Sequence, residues 1–348
     1  MILGLLQQVV NAHSQFKPIQ IYKMKSQQLI AGVDVSKDTL DIYFNDASGE
    51  EHYLKVSNDK KGHDLLIGKM GVQRTYLMES SGPYYLRLAF AIKKLNGDVR
   101  IENPISVKRF IQMHLERNKS DQKDAKWLYV YATQRETNEW KLPPKEQLYA
   151  MQVMGSIDLY SRQLVMLTNQ LHSLEQVPIQ MKEVRMSLEK MKQKLQIELR
   201  KLELQLHHLL QSWQGEQVKN ITSIPGLGKR AVALLIVYTD GFKKISNHRQ
   251  LIALAGLAPR EHTSGTSVRG KKGICKMGNG HLRNVLYMCS LSAIKHNHAC
   301  RALYERLKAK GKQSKVALIA VCNKLLKQAF AIATKGTTYQ ATYKSSLL

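Results

Sequence analysis

Between residues 150 and 213 the chain carries one glycine, Gly155, and one proline, Pro178. Leu, Met, Gln, Lys and Glu dominate the remainder. A stretch so poor in helix breakers, filled with residues that lose little rotamer freedom in a helix, is constrained to form long helices. Val184, Leu188, Met191, Leu195, Leu199, Leu202, Leu206 and Leu209 recur at near-heptad spacing with one irregular step, the pattern of an apolar helical seam. This helical segment, 148–215, divides the 348-residue chain into a part before it and a part after it. Two packings are open: a coiled coil that assembles a homo-oligomer, dimer or tetramer, or a long hairpin packed on its own domain.

The preceding part, 27–147, alternates in period. LIAGVDV (29–35) is a short apolar run, and DTLDIYF (38–44) alternates after an SKD turn, so the two read as a hairpin. HYLKVSN (52–58), TYLMES (75–80) and DVRIEN (98–103) are further strands, separated by the helical patterns KKGHDLLIGKM and LRLAFAIKKL. Pro104 opens another helix. Three antiparallel-type strands followed by alternating helices and strands predict a mixed α/β domain. The part after the helical segment, 216–340, reads as mostly α-helical with Gly-rich loops. Residues 1–26 are expected to be an N-terminal extension without chemistry, since MKSQQLIAGVDVSK, from Met24, reads like a natural start.

Lys and Arg number 53 against 27 Asp and Glu, a formal charge of +26 spread along the whole chain. Such a field attracts polyanions, and nucleic acid is the partner expected. No basic amphipathic helix with an aromatic face points to a membrane surface, and no run approaches the ~20 apolar residues of a span. The four cysteines, Cys275, Cys289, Cys300 and Cys322, have no C-x-x-C spacing, which fits a reducing cytoplasm. His296, His298 and Cys300 in KHNHAC lack the fourth ligand of a closed zinc site and read as a helical surface.

Against this basic background, carboxylates stand at particular places. Asp34 ends the first strand and Glu79 ends another, each following apolar residues. Asp121 and Asp124 lie three apart where a helix begins, with Cβ atoms ~5–6 Å apart on one face. A cap or a salt-bridged surface helix is the plain reading of that pair. The alternative is a metal site. Four carboxylates on one patch repel unless cations neutralise them, and Mg²⁺ (or Mn²⁺) takes hard oxygen ligands. Two such ions ~3.5–4 Å apart activate the attacking oxygen and stabilise the leaving oxygen in phosphodiester cleavage. Arg117, Lys119, Lys123 and Lys126 are then placed to hold phosphates.

ITSIPGLGKRAVALLI (221–236) reads as helix, P-G-x-G turn, helix. Gly226 and Gly228 permit close backbone approach, the next helix start offers free N–H groups, and Lys229 and Arg230 stand beside them. This looks like a helix-hairpin-helix that grips a nucleic-acid backbone, with a plain inter-helix turn as the alternative. PREHTSGTSVRGKKG (259–273) combines Gly, hydroxyls and the cations Arg260, Arg269, Lys271 and Lys272. A serine there either binds phosphate or attacks it, storing the bond as a phosphoserine ester.

GVDVSKDTLD, MESSGPYY, NPISVKRF and RNKSDQKDA resemble the DEDD-type insertion-sequence transposases, whose first domain is similar to the RuvC Holliday-junction resolvase. The resemblance covers about residues 30–340. It implies an RNase H-like (RuvC-like) fold for 27–147, with Asp34, Glu79, Asp121 and Asp124 as the metal-holding carboxylates. S-G-x-S-V-R-G lies in the transposase domain of that family, and the resemblance implies Ser264 as nucleophile, with Ser267 as second choice. It also implies cleavage and rejoining of double-stranded DNA, at element ends and target, through a site combining the carboxylates with Ser264. A structured noncoding guide RNA and a place near the bacterial nucleoid follow from the same resemblance. Pilin-inverting DNA invertases share both domains. A structure-specific nuclease working through the carboxylates alone and a non-enzymatic nucleic-acid scaffold are the other readings.

Overall fold

The computed structural model describes residues 28–116, 120–260, 263–264, 268–269 and 273–341. They divide into two compact units, one ending at Leu142 and the other beginning at Pro143.

The first unit is built on a five-stranded mixed sheet of order β3-β2-β1-β4-β5. Its strands are β1 (Ile30–Val35), β2 (Thr39–Asn45), β3 (Glu51–Ser57), β4 (Thr75–Glu79) and β5 (Asp98–Glu102). The first three run antiparallel, as a two-residue period joined by short turns requires, while β4 joins β1 and β5 joins β4 in parallel through helical crossovers. The expected strands and the α/β character are therefore found. Helices α1 (Lys60–Met70), α2 (Leu86–Lys94), α3 (Pro104–Met113) and α4 (Asp121–Gln134) complete the unit.

Strand alternation sorts the side chains onto two faces. Ala31, Val33, Val35, Leu40, Ile42, Phe44, Tyr76, Met78 and Val99 form one core with Leu66 and Met70 of α1 and Leu88, Ala89 and Ile92 of α2. On the other face Leu77 packs with Val107 of α3 and Leu128 of α4. Phe110 of α3 closes that layer through edge contacts to Trp127 and Tyr131 of α4. Gly32 lies on this second face, where a strand interior normally presents a side chain. A Cβ there would stand 2.2 Å from the Tyr129 amide nitrogen, 2.4 Å from the Ala125 carbonyl oxygen and 2.8 Å from the Leu128 carbonyl carbon. The backbone of α4 thus rests directly on β1, and glycine is what admits it.

In the second unit α5 (Lys145–Glu175) and α6 (Lys182–Thr222) pack as an antiparallel hairpin, joined through Gln176–Met181. The heptad-like seam is split in its use. Leu199, Leu202, Leu206 and Leu209 pack into the core of their own unit, while Val184 and Met191 are exposed. Helix α6 breaks at Gln214, whose backbone leaves helical geometry. Beyond it come α7 (Lys229–Thr239), α8 (His248–Leu254), α9 (Gly280–His296), α10 (His298–Ala309) and α11 (Ser314–Lys335). Ala150, Met154 and Ile157 of α5 share one apolar core with α6 to α11.

Helix α11 is the most apolar long helix among the described residues. With a mean hydropathy of 1.6 over its most apolar window, it is long and apolar enough to cross a membrane by composition. Lys324 and Lys327 interrupt it, so the helix holds no unbroken apolar run of spanning length. Ala317, Leu318, Val321, Cys322, Leu325, Leu326, Ala329 and Ile332 are buried in this unit, and that burial accounts for the composition.

The segment expected as a Ser/Gly loop contains paired strands. Strand β6 (Pro259–Arg260) pairs antiparallel with β9 (Gly273–Ile274), and inside that pair β7 (Thr263–Ser264) pairs with β8 (Val268–Arg269).

The close seating of α4 on β1 yields a sharp expectation. Gly32→Ala should destabilise the first unit by about 3 kcal/mol, the upper end of overpacking costs, because the clash is with backbone that cannot swing aside. Urea unfolding followed by Trp fluorescence reads this directly. An unchanged midpoint would contradict the packing.

Candidate active site

The sheet delivers one row of polar side chains to the face that α4 covers. Asp34 of β1 is paired in register with Asp41 of β2, and Asp41 with Lys55 of β3. Glu79 ends β4, one residue beyond the Val33–Met78 pair, so it continues the row on the other side of Asp34. By strand alternation all four lie on the face of Gly32.

Helix α4 begins over this row. Its N-cap is Ser120, whose Oγ accepts from the Lys123 amide at 3.3 Å. Capping therefore does not explain the acidic pair at 121 and 124. Instead, the carboxylates act on Asp34. Its carboxyl is pushed up to about 6, first by burial and then by the charges of Asp124, Glu79, Asp121 and Asp41. The four sequence-predicted acids are thus brought into one electrostatic neighbourhood. A fifth, Asp41, was not singled out from sequence. It is 2 % exposed, accepts a hydrogen bond from the Tyr53 hydroxyl, and is ion-paired with Lys55 at 3.2 Å. Lys55 also reaches Asp121, at 3.8 Å.

The donor chemistry suits a hard divalent cation. Asp34, Glu79, Asp121 and Asp124 offer carboxylate oxygens only, and their mutual repulsion at Asp34 is what a cation relieves. Among the described residues, the acidic trio whose ligand atoms all lie within 4.8 Å of one another is a different one, Asp46, Glu50 and His52. It belongs to the β2–β3 turn. Asp46 Oδ1 accepts from the Ser48 and Glu50 amides at 2.9 and 3.0 Å and from the Ser48 hydroxyl, while Oδ2 meets His52 at 2.8 Å. The Ser48 hydroxyl first, with His52, holds this carboxyl far below its ordinary range. Asp46 is the organiser of a turn.

The cations expected to hold phosphate are partly committed within the protein. Lys123 pairs with Glu116 at 3.3 Å. Lys126 stands 3.9 Å from Glu51 and over the Tyr43 ring, the ring that also meets Tyr129 of α4. Arg117 and Lys119 lie outside the described residues.

In the second unit the P-G-x-G turn leads into α7, as expected. Gly226 has a φ of +101°, and a Cβ on it would meet Ala293 of α9 at 2.6 to 2.9 Å. Its close approach is to the protein's own helix α9. Gly228 faces open space and caps α7 with no side-chain bond to the first amides. Asn297, fully buried, donates to the Pro225 carbonyl at 3.3 Å and steadies the turn. Lys229 and Arg230 are exposed and line a cleft of about 980 Å³ with the proximal parts of α5 and α6. Arg230 is ion-paired with Asp158 of α5, whose other oxygen meets His281 at 2.9 Å.

Ser264 is the last residue of β7, in register with Val268, and Arg269 pairs with Thr263. Ser267, Lys271 and Lys272 lie outside the described residues.

Residues 31–177 match the DEDD-type IS110 transposases, and residues 218–305 match the transposase family IS116/IS110/IS902. The chain is similar to the pilin gene-inverting protein of Moraxella bovis, 23 % identical over 86 % of this chain and 94 % of that protein. It is also similar to the transposase for insertion sequence element IS1328 of Yersinia enterocolitica, 23 % identical over 89 % of this chain and 98 % of the relative. An insertion element IS110 protein of Streptomyces coelicolor is 31 % identical over 35 % of this chain and 30 % of its own length.

The raised Asp34 carboxyl has a consequence for the metal-free protein. Folding lifts this group from 3.8 to about 6, so between those pH values the folded state binds more protons than the unfolded one. Its contribution to stability therefore falls as pH rises from 4 to 6 and stays unfavourable above. In EDTA, Asp34→Asn should be more stable than the wild type at pH 7.5 by about 1 to 2 kcal/mol after allowance for solvent screening, with the gap closing by pH 4. Denaturant melts at the two pH values measure it; equal stability at both would contradict the electrostatics.

Proposed function

We propose that this chain, which matches transposase families over residues 31–177 and 218–305, is a DNA recombinase that cleaves and rejoins DNA through a phosphoserine ester with help from divalent metal. The observation that supports this reading is the row of Asp34 and Glu79 on the sheet face that α4 covers, with Asp121 and Asp124 in the first turn of that helix. The first unit is then an RNase H-like, RuvC-like domain. Asp34, Glu79, Asp121 and Asp124 hold Mg²⁺, or Mn²⁺ in its place. Bound there, the metal would supply positive charge against the oxygens of a scissile phosphodiester.

Ser264 supplies the nucleophile. Its Oγ forms a bond to phosphorus as the phosphorus–oxygen bond to one deoxyribose breaks. The serine proton passes to solvent or a base, and the released sugar oxygen takes up a proton. A sugar hydroxyl from another strand then attacks the phosphoserine, restores a phosphodiester and returns the serine hydroxyl. The ester conserves the bond energy, so strand exchange needs no external energy source. Lys229 and Arg230 at the open N-terminus of α7 grip the DNA backbone, and Arg269, Lys271 and Lys272 hold phosphate beside the serine.

The excess of 26 positive charges supports a second polyanion, a structured noncoding RNA that directs the enzyme to element ends and target. The exposed Val184 and Met191 support assembly of a dimer or tetramer through the distal hairpin. A second reading, inversion of a chromosomal segment, is favoured by the near full-length similarity to the pilin gene-inverting protein. It uses the same chemistry on differently arranged DNA.

Supercoiled DNA carrying element ends should yield a denaturation-resistant protein–DNA adduct. Ser264→Ala abolishes the adduct, Ser267→Ala retains it, and Asp124→Asn lowers it by about 10²-fold or more, the scale of losing electrostatic assistance. An adduct undiminished in Ser264→Ala would refute the nucleophile, and one undiminished in Asp124→Asn would refute the carboxylates' role.

A further inference from the structure

A buried carboxylate in a sheet needs a partner, and Asp41 has two: the Tyr53 hydroxyl and the Lys55 ammonium. Tyr53 and Lys55 alternate on β3 and share the face of Asp41, so the arrangement follows from strand register. The same ammonium extends to Asp121, the first residue of α4. Lys55 therefore links the sheet row to the helix that supplies the remaining acids.

We propose that Lys55 is the tethered counter-cation of the acidic pocket, neutralising Asp41 and Asp121 when no ion is bound and releasing Asp121 when a divalent cation enters. The inference rests on the reading of Asp34, Glu79, Asp121 and Asp124 as metal ligands and adds a residue that sets how tightly they bind.

Three features fit this role. The two contacts are unequal, 3.2 Å to Asp41 and 3.8 Å to Asp121, so the weaker one is the one that metal must replace. Lys55 is 47 % exposed on the outermost strand, which leaves its ammonium room to withdraw toward water while staying with Asp41. A lysine is a point charge on a flexible stem and can move between partners, whereas an arginine fork holds one carboxylate in fixed geometry. Asp41, pinned by Tyr53, is the permanent anchor, and Asp121 the exchangeable partner. Because the ammonium and the metal compete for one carboxylate, Lys55 lowers metal affinity and keeps the empty pocket from flying apart.

The test combines Mn²⁺ titration, read by electron paramagnetic resonance, with melting of the full chain in EDTA. Lys55→Met should bind Mn²⁺ about 3- to 10-fold more tightly than the wild type, the scale of losing one partly screened charge. Its metal-free melting temperature should fall, and adding Asp121→Asn should restore part of the loss. Lys55→Arg, which keeps the charge, should stay closer to the wild type in melting than Lys55→Met does. Wild-type Mn²⁺ binding that is equal to or tighter than that of Lys55→Met overturns the role given to Lys55. If the wild type binds no Mn²⁺, or Asp124→Asn binds it undiminished, the metal reading of the pocket fails, and the exchange proposed for Asp121 fails with it.

Discussion

The site in the first unit depends on the absence of one methyl group. Gly32 lets the backbone of α4 lie on β1, with separations that no side chain at that position would tolerate. From this contact the placement of the acids follows. Two residues along β1 from Gly32 is Asp34, and one helical turn before Ala125 and Leu128 lie Asp121 and Asp124. A helix held a few ångströms farther out would leave those carboxylates too distant to raise the Asp34 carboxyl as they do. Backbone packing, rather than any attraction among the acids, brings like charges together.

Their repulsion is managed locally. Lys55 and Tyr53 satisfy the buried Asp41, and Lys126 meets Glu51 while lying over Tyr43, so the rim of the pocket is tied to α4 by charge as well as by packing. The second unit manages charge of the opposite sign in a comparable way. Asp158 spans Arg230 and His281 beside the open start of α7. In both places a charged side chain is held against a partner from a neighbouring element.

Much of this was legible in the sequence. The strand order of acids, Asp34, Glu79, then Asp121 and Asp124, could be read because each sits at the end of an apolar run or the start of a helix, and the charges of the other three all bear on the Asp34 carboxyl. Gly32 carried a signal too, since a glycine inside an apolar strand marks close backbone approach, but nothing local says which helix approaches. Asp41 and Lys55 were hidden because their pairing depends on register across three strands, which sequence spacing does not reveal. The partner of Gly226 was hidden for the same reason. Its positive φ was legible in P-G-x-G, whereas its neighbour, Ala293, lies 67 residues away in sequence. The seam of α6 was visible as a period, yet the period does not distinguish a partner in the same chain from one in another copy.

Two acidic groups in the first unit compete for the role of metal site, and they are well separated along β2: the row under α4 and the Asp46–Glu50–His52 turn. Anomalous diffraction from crystals grown with Mn²⁺ decides between them. The account predicts manganese peaks bounded by the carboxylates of Asp34, Glu79, Asp121 and Asp124. Manganese at the Asp46 turn with none beneath α4 would contradict it.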